Sequence, residues 1–321
     1  MKYQNKTASI LINNYNYAQF VGQAIESALN QTYRDIEIIV VDDGSTDNSR
    51  DVISSFGDRI NAIFKQNEGQ ASAFNAGFAA SKGEFIFLLD ADDTFYLTKI
   101  EECIQMFEDY EQINWIFHKL KYINSQSNLI ENLNILDKSI YKNIEIIDVQ
   151  ETLRKGKKFN FIPPATSGLC FRRKVLTHIL PMPNFIKITS DNYVKFAALF
   201  LSSGIIYNKP LASQRIHQSN HFTFRDDVQI KASEIGLLTG YYLRQQFPRI
   251  KLFANKVFAR GFGELLAQIG WRKTFNIPES SQYIDEFWTI QERLQYLPRI
   301  SFHYLKTKLY KWKSYLKRNL M

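Results

Sequence analysis

Residues 84–93 constrain the fold of this 321-residue chain more than any other stretch. Residues 85–89 are all apolar, without the alternation of a half-exposed strand, which predicts a strand buried on both faces. Such strands are typical of the centre of a parallel sheet. The strand ends in the carboxylates Asp90, Asp92 and Asp93, which repel one another unless a cation neutralises them. Two interpretations follow: a site for Mg²⁺ or Mn²⁺, or a solvated turn with an acidic helix cap.

Strand and helix patterns alternate four times along the first part of the chain. The predicted strands are short apolar runs at residues 8–13, 36–41, 60–65 and 85–89. Helical patterns with short connections separate these strands, so we expect a parallel sheet with right-handed crossovers. Residues 118–147 are mixed in pattern and remain unassigned, and from about Val228 the chain is mostly helical. The sequence therefore predicts an α/β domain followed by a helical C-terminal region.

The composition is that of a folded globular protein, with 45% apolar and 14% aromatic residues. The two cysteines, Cys103 and Cys170, make no disulfide framework, which agrees with a reducing compartment. We recognise no secretory signal before the first strand and no apolar stretch of about 18 residues that could span a membrane. These features predict a cytoplasmic protein.

The positive charge is concentrated near the C-terminus. Residues 299–321 contain seven cations and no acid, whereas the formal net charge of the whole chain is +8. Apolar residues recur there at spacings of three and four: Leu305, Leu309, Trp312, Leu316 and Leu320. This basic amphipathic helix predicts peripheral contact with an anionic membrane surface. Alternatively, the stripe packs on the preceding helices. A nucleic-acid partner is not expected, because the charge lies on a tail and not across a groove.

Polar residues follow three of the predicted strands, at residues 14–16, 42–43 and 90–92. The carboxyl ends of parallel strands meet at one edge of a sheet, where ligands of open α/β proteins bind. Such an edge could bind a nucleotide. A carboxylate would accept hydrogen bonds from the base or ribose, and a metal ion would bind the diphosphate. No Gly-x-Gly-x-x-Gly and no Gly-Lys-Ser/Thr follows the first strand, which argues against dehydrogenases and P-loop enzymes.

Residues 8–93 resemble the donor half of the family 2 glycosyltransferases, which have the GT-A fold. The matching segments, in family order, are Ser9–Ile12 with Tyr15-Asn16, Ala28–Tyr33, Val40–Asp47, Asn67–Gly69 with Asn75–Gly77, and Gly83-Glu84 leading to Leu89–Asp93. The resemblance weakens towards residue 222 and is not recognisable beyond it. It implies a GT-A domain at 1–222, with a nucleotide-sugar half, 1–93, and an acceptor half, 94–222. The helical region would then be 223–321.

The resemblance also implies a role for each polar strand end. Asp42 would hold the base or ribose of the donor, and Asp90 would contact the ribose and the diphosphate. Asp92 would be the main metal ligand. The complete set implied to bind the nucleotide sugar is Asn14, Tyr15, Asn16, Asp42, Asn67, Gly69, Asp90 and Ala91. Alternatively, Asp42 forms a turn and Tyr15 packs in the core. Asp43 and Asp47 are expected to be structural, as a turn former and a helix cap.

The catalytic base implied by the resemblance is Asp191, at the start of a later helix. It would take the proton from an acceptor hydroxyl. Ser190 stands where the family usually has an acid, and the alternative role of Asp191 is a helix N-cap. His217 matches a position that completes the metal site, although it could be structural, and His221 is close enough in sequence to confuse the choice. Other segments match the acceptor side: Ser167-Gly168 and Phe171–Arg173, whose arginines could instead be solvated.

The activity implied is metal-dependent transfer of one sugar, with inversion, from a nucleoside diphosphate sugar, with UDP favoured. The acceptor would be a hydroxyl of a glycan or lipid-linked glycan in surface polysaccharide biosynthesis. The chain has no Gln-x-x-Arg-Trp, the motif of processive synthases. Two departures from the family pattern are Asn13 in place of Pro and Phe74 in place of Arg. The alternatives are a sugar-phosphate nucleotidyltransferase, which would need a Gly- and Arg-rich loop after the first strand, and a non-catalytic carbohydrate-binding or scaffold module.

Overall fold

The computed structural model of the protein describes residues 7–130, 143–187, 190–218, 220 and 227–319. His221 and Leu320, which entered the predictions, lie outside these ranges. Residues 131–142, in the middle of the unassigned segment 118–147, also lie outside them. None of the helices in the described part of the chain is long and apolar enough to cross a membrane.

The chain divides into two compact units. Residues 1–150 and 159–220 belong to the first unit, and residues 151–158 and 221–321 belong to the second. The short segment 151–158 therefore joins the helical unit, although it lies inside the predicted acceptor half. The predicted division at residue 222 stays a prediction.

A nine-stranded sheet organises the described residues of the first unit. Its strands are β1 (Ala8–Asn14), β2 (Ile36–Asp42), β3 (Asn61–Phe64), β4 (Phe85–Asp90), β5 (Thr94–Phe95), β6 (Trp115–Ile123), β7 (Ile144–Ile147), β8 (Leu169–Arg172) and β9 (Gly204–Arg215). They lie in the order β3-β2-β1-β4-β8-β6-β9-β5, and β7 pairs with β9.

The α-helices of the described ranges flank this sheet or form the second unit. They are α1 (Ala18–Leu29), α2 (Ser49–Ser54), α3 (Gln70–Ala80), α4 (Lys99–Asp109), α5 (Gln150–Arg154), α6 (Arg173–Leu176), α7 (Asp191–Leu201), α8 (Val228–Gln246), α9 (Lys251–Ile269), α10 (Trp271–Phe275), α11 (Pro278–Gln282) and α12 (Ile290–Asn319). The prediction of a helical C-terminal region is confirmed.

The first four strands are parallel, as predicted from the alternation of strands and helices. β1 lies between β2 and β4, with Asn14 level with Asp42 and Asn13 level with Asp90. β1 is buried on both faces, and so is β4 as far as its last residue. This register brings the polar ends of β1, β2 and β4 to one edge of the sheet.

The other half of the sheet is mixed. β8 is antiparallel to both β4 and β6, whereas β9 is parallel to β6 and antiparallel to β5 and β7. Pro210 lies within β9, where the register against β6 shifts on either side of Lys119. Proline has no amide hydrogen to donate, so such an irregularity is where a strand tolerates it. Two residues of the mixed half lie at the same edge of the sheet as the polar strand ends: Ser167, just before β8, and Arg215, at the end of β9.

Glycines let the helices α8 and α9 of the second unit pack closely. A Cβ atom built on Gly240 of α8 would lie 2.5 Å from the backbone nitrogen of Phe258 of α9. A Cβ atom on Gly261 of α9 would lie 2.5 Å from the carbonyl oxygen of Ser233. Backbones can approach to such distances only where one residue lacks a side chain.

Replacing Gly240 with alanine is expected to lower the free energy of unfolding by about 1–3 kcal/mol, because the added methyl group overpacks the α8–α9 contact. Gly236, one turn earlier on α8, is the matched control, since a Cβ atom there meets the Gly261 Cα at 3.7 Å. Its replacement with alanine should be neutral, or stabilising by up to about 1 kcal/mol. Urea denaturation measures both variants, and equal midpoints would contradict the prediction.

Candidate active site

The fully buried carboxylate of Asp42 ends β2. Asn14, at the end of β1, donates from Nδ2 to Asp42 Oδ2 over 2.8 Å. The Ser45 amide donates to Asp42 Oδ1 over 3.0 Å, and the Arg50 Nε lies 3.5 Å from the same oxygen. Asp42 thus closes the turn after β2, as the turn interpretation requires, and its network joins two strand ends at the predicted binding edge.

Asn16 connects the loop after β1 to the loop after β2. It adopts a left-handed backbone conformation, with φ +58°, which asparagine tolerates better than most residues. Its Oδ1 accepts from the Thr46 amide over 2.7 Å. Asn16 and Gln19 have the spacing of a capping box, but they form none, because α1 begins at Ala18 and the Ala18 amide donates to Asp47 Oδ2 over 2.9 Å. The loop-to-loop contact uses the oxygen that a capping box would need.

Asp43 holds the loop between β3 and α3. Its Oδ1 accepts from Lys65 Nζ over 2.7 Å, and its Oδ2 accepts from the Gly69 amide over 2.7 Å. Gly69 has φ +95°, and a Cβ atom there would lie 2.7 Å from the Lys187 Cα. Glycine is therefore required at this position. These contacts agree with the structural role predicted for Asp43.

The other residues implied to bind the nucleotide border the same corner. Asn67 is exposed, and its backbone nitrogen would lie 2.5 Å from a Cβ atom on Gly44, so its loop packs against the turn after β2. Tyr15 is half-buried just beyond β1. Ala91 is buried, and its amide donates to the Asn13 carbonyl over 3.1 Å. The structure therefore gathers this predicted set along one edge of the sheet.

The two residues implied to hold a metal, Asp92 and His217, are in direct contact. Asp92 Oδ2 lies 3.1 Å from His217 Nε2 and accepts from Asn220 Nδ2 over 2.9 Å. The ring of His217 is buried against Tyr17 and Phe20, with ring centroids 5.5 and 4.5 Å away. These aromatic rings fix the imidazole in the plane from which it reaches the carboxylate.

Asp93 is a structural carboxylate. Both of its oxygens accept hydrogen bonds from residues of the mixed half of the sheet. Its Oδ2 accepts from Ser167 Oγ over 2.6 Å, and its Oδ1 accepts from the Arg215 amide over 2.8 Å. Ser167 Oγ also accepts from the Asp90 amide over 3.1 Å. Arg215 Nε donates to the Asp92 carbonyl over 2.8 Å. One serine and one arginine thus fix the backbone of the whole acidic segment.

The start of α3 links the end of β4 to the start of α7. Gln70 Nε2 donates to Asp90 Oδ1 over 3.4 Å, and Gln70 Oε1 accepts from the amide and hydroxyl of Ser190 over 2.9 and 3.1 Å. Asp191 is the first residue of α7, and its Oδ2 pairs with Lys195 Nζ at 2.8 Å. Ser190 occupies the N-cap position that was the alternative role of Asp191.

One oxygen of Asp191 has no role in the fold that the structure reveals. Its Oδ1 is buried and has no hydrogen-bond partner among the described residues. A buried acceptor without a donor costs about 1–3 kcal/mol, which is tolerated where the group serves a function. The unpartnered oxygen is available to accept a proton.

The carboxylates of this edge repel one another. Burial, followed by the charges of Asp92 and Asp191, raises the pKa of Asp90 to about 8. Burial and the charges of Asp92 and Asp90 also raise the pKa of Asp93 well above its usual value. Repulsion of this kind is relieved by a bound cation.

Asp92 and His217 fit a divalent cation by chemistry and by spacing. Carboxylate oxygens bind Mg²⁺ and Mn²⁺, and imidazole nitrogen also suits transition metals. With ligand bonds of about 2.1 Å, neighbouring ligand atoms of an octahedral site lie about 3 Å apart, close to the observed 3.1 Å. Within the described ranges no three His, Cys, Asp or Glu side chains converge to hold a metal ion. A cation here would therefore take further ligands from the substrate and water.

Sequence reasoning missed Gln70, Lys195 and Arg215 as parts of the site. Lys195 was detectable, because it lies four residues after Asp191 on a predicted helix. Gln70 was detectable only from its place directly after Gly69, at a helix start. Arg215 gave no local signal, since its guanidinium group contacts segments 88 to 192 residues away in sequence.

Arg172 and Arg173 lie at the other end of β4 from the site. Arg172 is level with Phe85, the first residue of β4, and its Nε donates to the Ile113 carbonyl over 3.0 Å. Arg173 Nε donates to the Gly83 carbonyl over 2.6 Å. Both guanidinium groups bind backbone carbonyls, of Ile113 just before β6 and of Gly83 just before β4, and so lie away from the strand ends that form the site.

The fold is that of a GT-A glycosyltransferase. The chain belongs to glycosyl transferase family 2, since the model of that family matches residues 9–179. An uncharacterized glycosyltransferase of Nostoc sp. (strain PCC 7120) is 33% identical to it over 318 residues, which cover 92% of this chain and 94% of that protein. Chondroitin synthase of Pasteurella multocida is 36% identical over 127 residues, 39% of this chain and 13% of that protein.

The fold is similar to that of solved TarS structures from S. aureus. TarS 1–349 in complex with UDP aligns with a TM-score of 0.56 at 14% identity, over 90% of this chain and 78% of that chain. The same protein in complex with UDP-GlcNAc also gives 0.56, over 91% and 78% of the two chains. At this identity the likeness shows the fold alone. The predictions of family 2 membership and of an α/β GT-A fold are thereby confirmed.

Replacing Arg215 with leucine is expected to lower the free energy of unfolding by about 3–5 kcal/mol, because the Asp92 and Asn124 carbonyls would lose a buried charged donor. Arg59 is the matched control: its side chain is 56% exposed and lies 3.9 Å from Glu26. Arg59→Leu should change stability by less than about 1 kcal/mol. Urea denaturation of both variants checks this, and a stable Arg215→Leu variant would refute the structural role given to this guanidinium.

Proposed function

We propose that the protein is an inverting, metal-dependent glycosyltransferase that moves one sugar from a nucleoside diphosphate sugar, with UDP as the favoured nucleotide. Membership of family 2 supports sugar transfer. The TarS structures are complexes with UDP and UDP-GlcNAc, and two similar Pasteurella proteins are a chondroitin synthase and a hyaluronan synthase. By this analogy the acceptor is a hydroxyl of a glycan or lipid-linked glycan, in surface polysaccharide biosynthesis on the cytoplasmic side.

The observation that carries the proposal is the grouping of unlike carboxylates at one sheet edge. Asp42 is held by amide donors, Asp92 faces His217, and Asp191 keeps one oxygen without a partner in the described chain. Donor binding, metal binding and proton transfer need these three environments. The residues we assign to the nucleotide sugar are Asn14, Tyr15, Asn16, Asp42, Asn67, Gly69, Asp90 and Ala91.

The chain's own residues would act on both sides of the reacting carbon. Asp92 and His217 would hold Mn²⁺ or Mg²⁺, which when bound supplies positive charge for the diphosphate leaving group. Asp191 Oδ1 would accept the proton of the acceptor hydroxyl as the hydroxyl oxygen attacks the anomeric carbon. Lys195 holds the other Asp191 oxygen and so orients the carboxylate. Attack opposite the leaving group inverts the anomeric configuration.

Two alternative functions are less well supported. A sugar-phosphate nucleotidyltransferase would need a Gly- and Arg-rich loop after β1, and residues 14–17 contain neither residue. A non-catalytic carbohydrate-binding or scaffold module would not require all four carboxylates that the chain retains: Asp42, Asp90, Asp92 and Asp191. This retained set favours the catalytic proposal.

The proposal predicts that UDP binds the protein more tightly with Mn²⁺ than without it, and more tightly than GDP or dTDP. Replacing Asp92 with asparagine should remove the Mn²⁺ dependence, because a neutral amide is a poor ligand for a hard cation. Calorimetric titration with the three nucleotides, with and without Mn²⁺, measures this. Asp58→Asn is the control, since Asp58 is exposed and follows α2. Mn²⁺-dependent binding of UDP that persists in Asp92→Asn would exclude Asp92 as the ligand.

Replacing Asp191 with asparagine should lower kcat by about 10²- to 10⁴-fold, because a general base is lost. UDP affinity should stay within about twofold, since an amide oxygen can still accept from Lys195 and keep the helix start folded. Turnover of UDP-sugars with acceptor, and calorimetry with UDP, separate these two effects.

The matched control for Asp191→Asn is Asp51→Asn, which removes an exposed carboxylate from the first turn of α2. It tests whether loss of a negative charge near a helix start is itself harmful. Normal turnover in Asp191→Asn would assign the base elsewhere, whereas an equal loss in both variants would show a general effect of charge.

A further inference from the structure

The last helix, α12, is attached to the second unit by one side only. Tyr296 is 3% exposed. The Ile300 carbonyl oxygen would lie 2.5 Å from a Cβ atom on Gly263 of α9, and His303 Nδ1 lies 3.7 Å from Glu264. These contacts recur at spacings of three and four residues, so they form one face of the helix, packed on α9.

The opposite face of α12 is apolar and exposed. Leu294, Leu305 and Trp312 are 69%, 64% and 58% exposed. The exposed stripe consists of Ile290, Leu294, Leu297, Leu305, Leu309 and Trp312. The alternative in which Leu305, Leu309 and Trp312 pack on the preceding helices is therefore wrong. The side chains of Leu316 and Leu320 lie outside the described part of the chain.

Cations flank the exposed stripe, and residues 299–321 contain no acid. Lys306 and Lys313 each follow a stripe residue and are exposed on one side of it. Lys308 and Lys311 are exposed towards the other side, with Lys308 Nζ 5.7 Å from the Tyr304 ring centroid. An apolar stripe between rows of cations is complementary to a surface with an apolar interior and anionic groups at its boundary.

We propose that the exposed stripe of α12 docks the protein on an anionic membrane, with the helix in the headgroup plane. A helix in this position buries its apolar face and keeps its cations among the headgroups. Each cation near such a surface strengthens binding about fivefold, and salt weakens this contribution. Tryptophan favours the same depth, and Trp312 of the stripe is exposed. This inference stands independently of the proposed function.

A second copy of the chain is a poorer occupant of the stripe. Two copies meeting through it would bring two sets of cations together without an acid in residues 299–321 to neutralise them. The stripe is also interrupted by Ser301, which lies where a helix–helix seam needs an apolar residue. Charge complementarity therefore favours lipid.

Sedimentation of the full chain with vesicles tests the proposal. The protein should bind vesicles of phosphatidylcholine mixed with phosphatidylglycerol at least tenfold more tightly than vesicles of phosphatidylcholine alone. Molar salt should reduce the difference. Replacing Leu305, Leu309 and Trp312 together with glutamine should weaken binding at least tenfold. The matched control replaces three exposed apolar residues of the first unit, Leu97, Ile162 and Phe185, with glutamine and should bind as the wild type does.

A second pair of variants tests the charge. Lys306, Lys311 and Lys313 replaced with glutamine should bind anionic vesicles at least tenfold more weakly. The same change in net charge made at exposed Lys157, Lys158 and Lys174 should have a smaller effect. Equal binding to both lipid mixtures, or wild-type binding by the stripe variant, would overturn the proposal. So would self-association in sedimentation equilibrium that the stripe variant abolishes, because the occupant would then be a second copy.

Discussion

The burial of carboxylates at the ends of parallel strands is the constraint on which the rest of the first unit depends. An isolated buried carboxylate costs several kcal/mol, and it persists only where donors or cations compensate it. Asp42 is compensated by Asn14 from a neighbouring strand, and Asp93 by Ser167 and the Arg215 amide from the far half of the sheet. The mixed strands β8 and β9 are therefore part of the site, because they position the donors for the acidic segment. Ser167 lies just before β8, and Arg215 is the last residue of β9.

The roles of the carboxylates follow from how fully each one is hydrogen-bonded. Asp43 and Asp93 accept hydrogen bonds on both oxygens, and these contacts hold the loop before α3 and the acidic segment after β4. Asp191 differs, because Lys195 occupies one oxygen and the other has no donor within the described ranges. The same chemical group is thus fully hydrogen-bonded in one place and keeps an unpartnered oxygen in another.

The parallel strands were predictable because their signal is local: short, mainly apolar segments, each followed by polar residues. The residues that complete the site were not, because they depend on contacts between distant segments. Gln70 matters only because α3 starts between β4 and α7. The left-handed backbone of Asn16, which joins the loops after β1 and β2, cannot be predicted from its neighbours in sequence. Arg172 matched a family segment, but its place is set by its antiparallel pairing with the start of β4.

The helix α12 shows where periodicity stops being informative. The spacing of Leu305, Leu309 and Trp312 indicates an apolar face, but a packed face and an exposed face have the same pattern. Only the position of Tyr296 and His303 against α9 decides which side is covered. Large exposed apolar residues favour self-association in water, yet the adjoining cations make two such faces repel each other. A membrane with anionic headgroups and an apolar interior is complementary to both the stripe and the cations. It would bury the stripe and neutralise the charges that keep two copies of the protein apart.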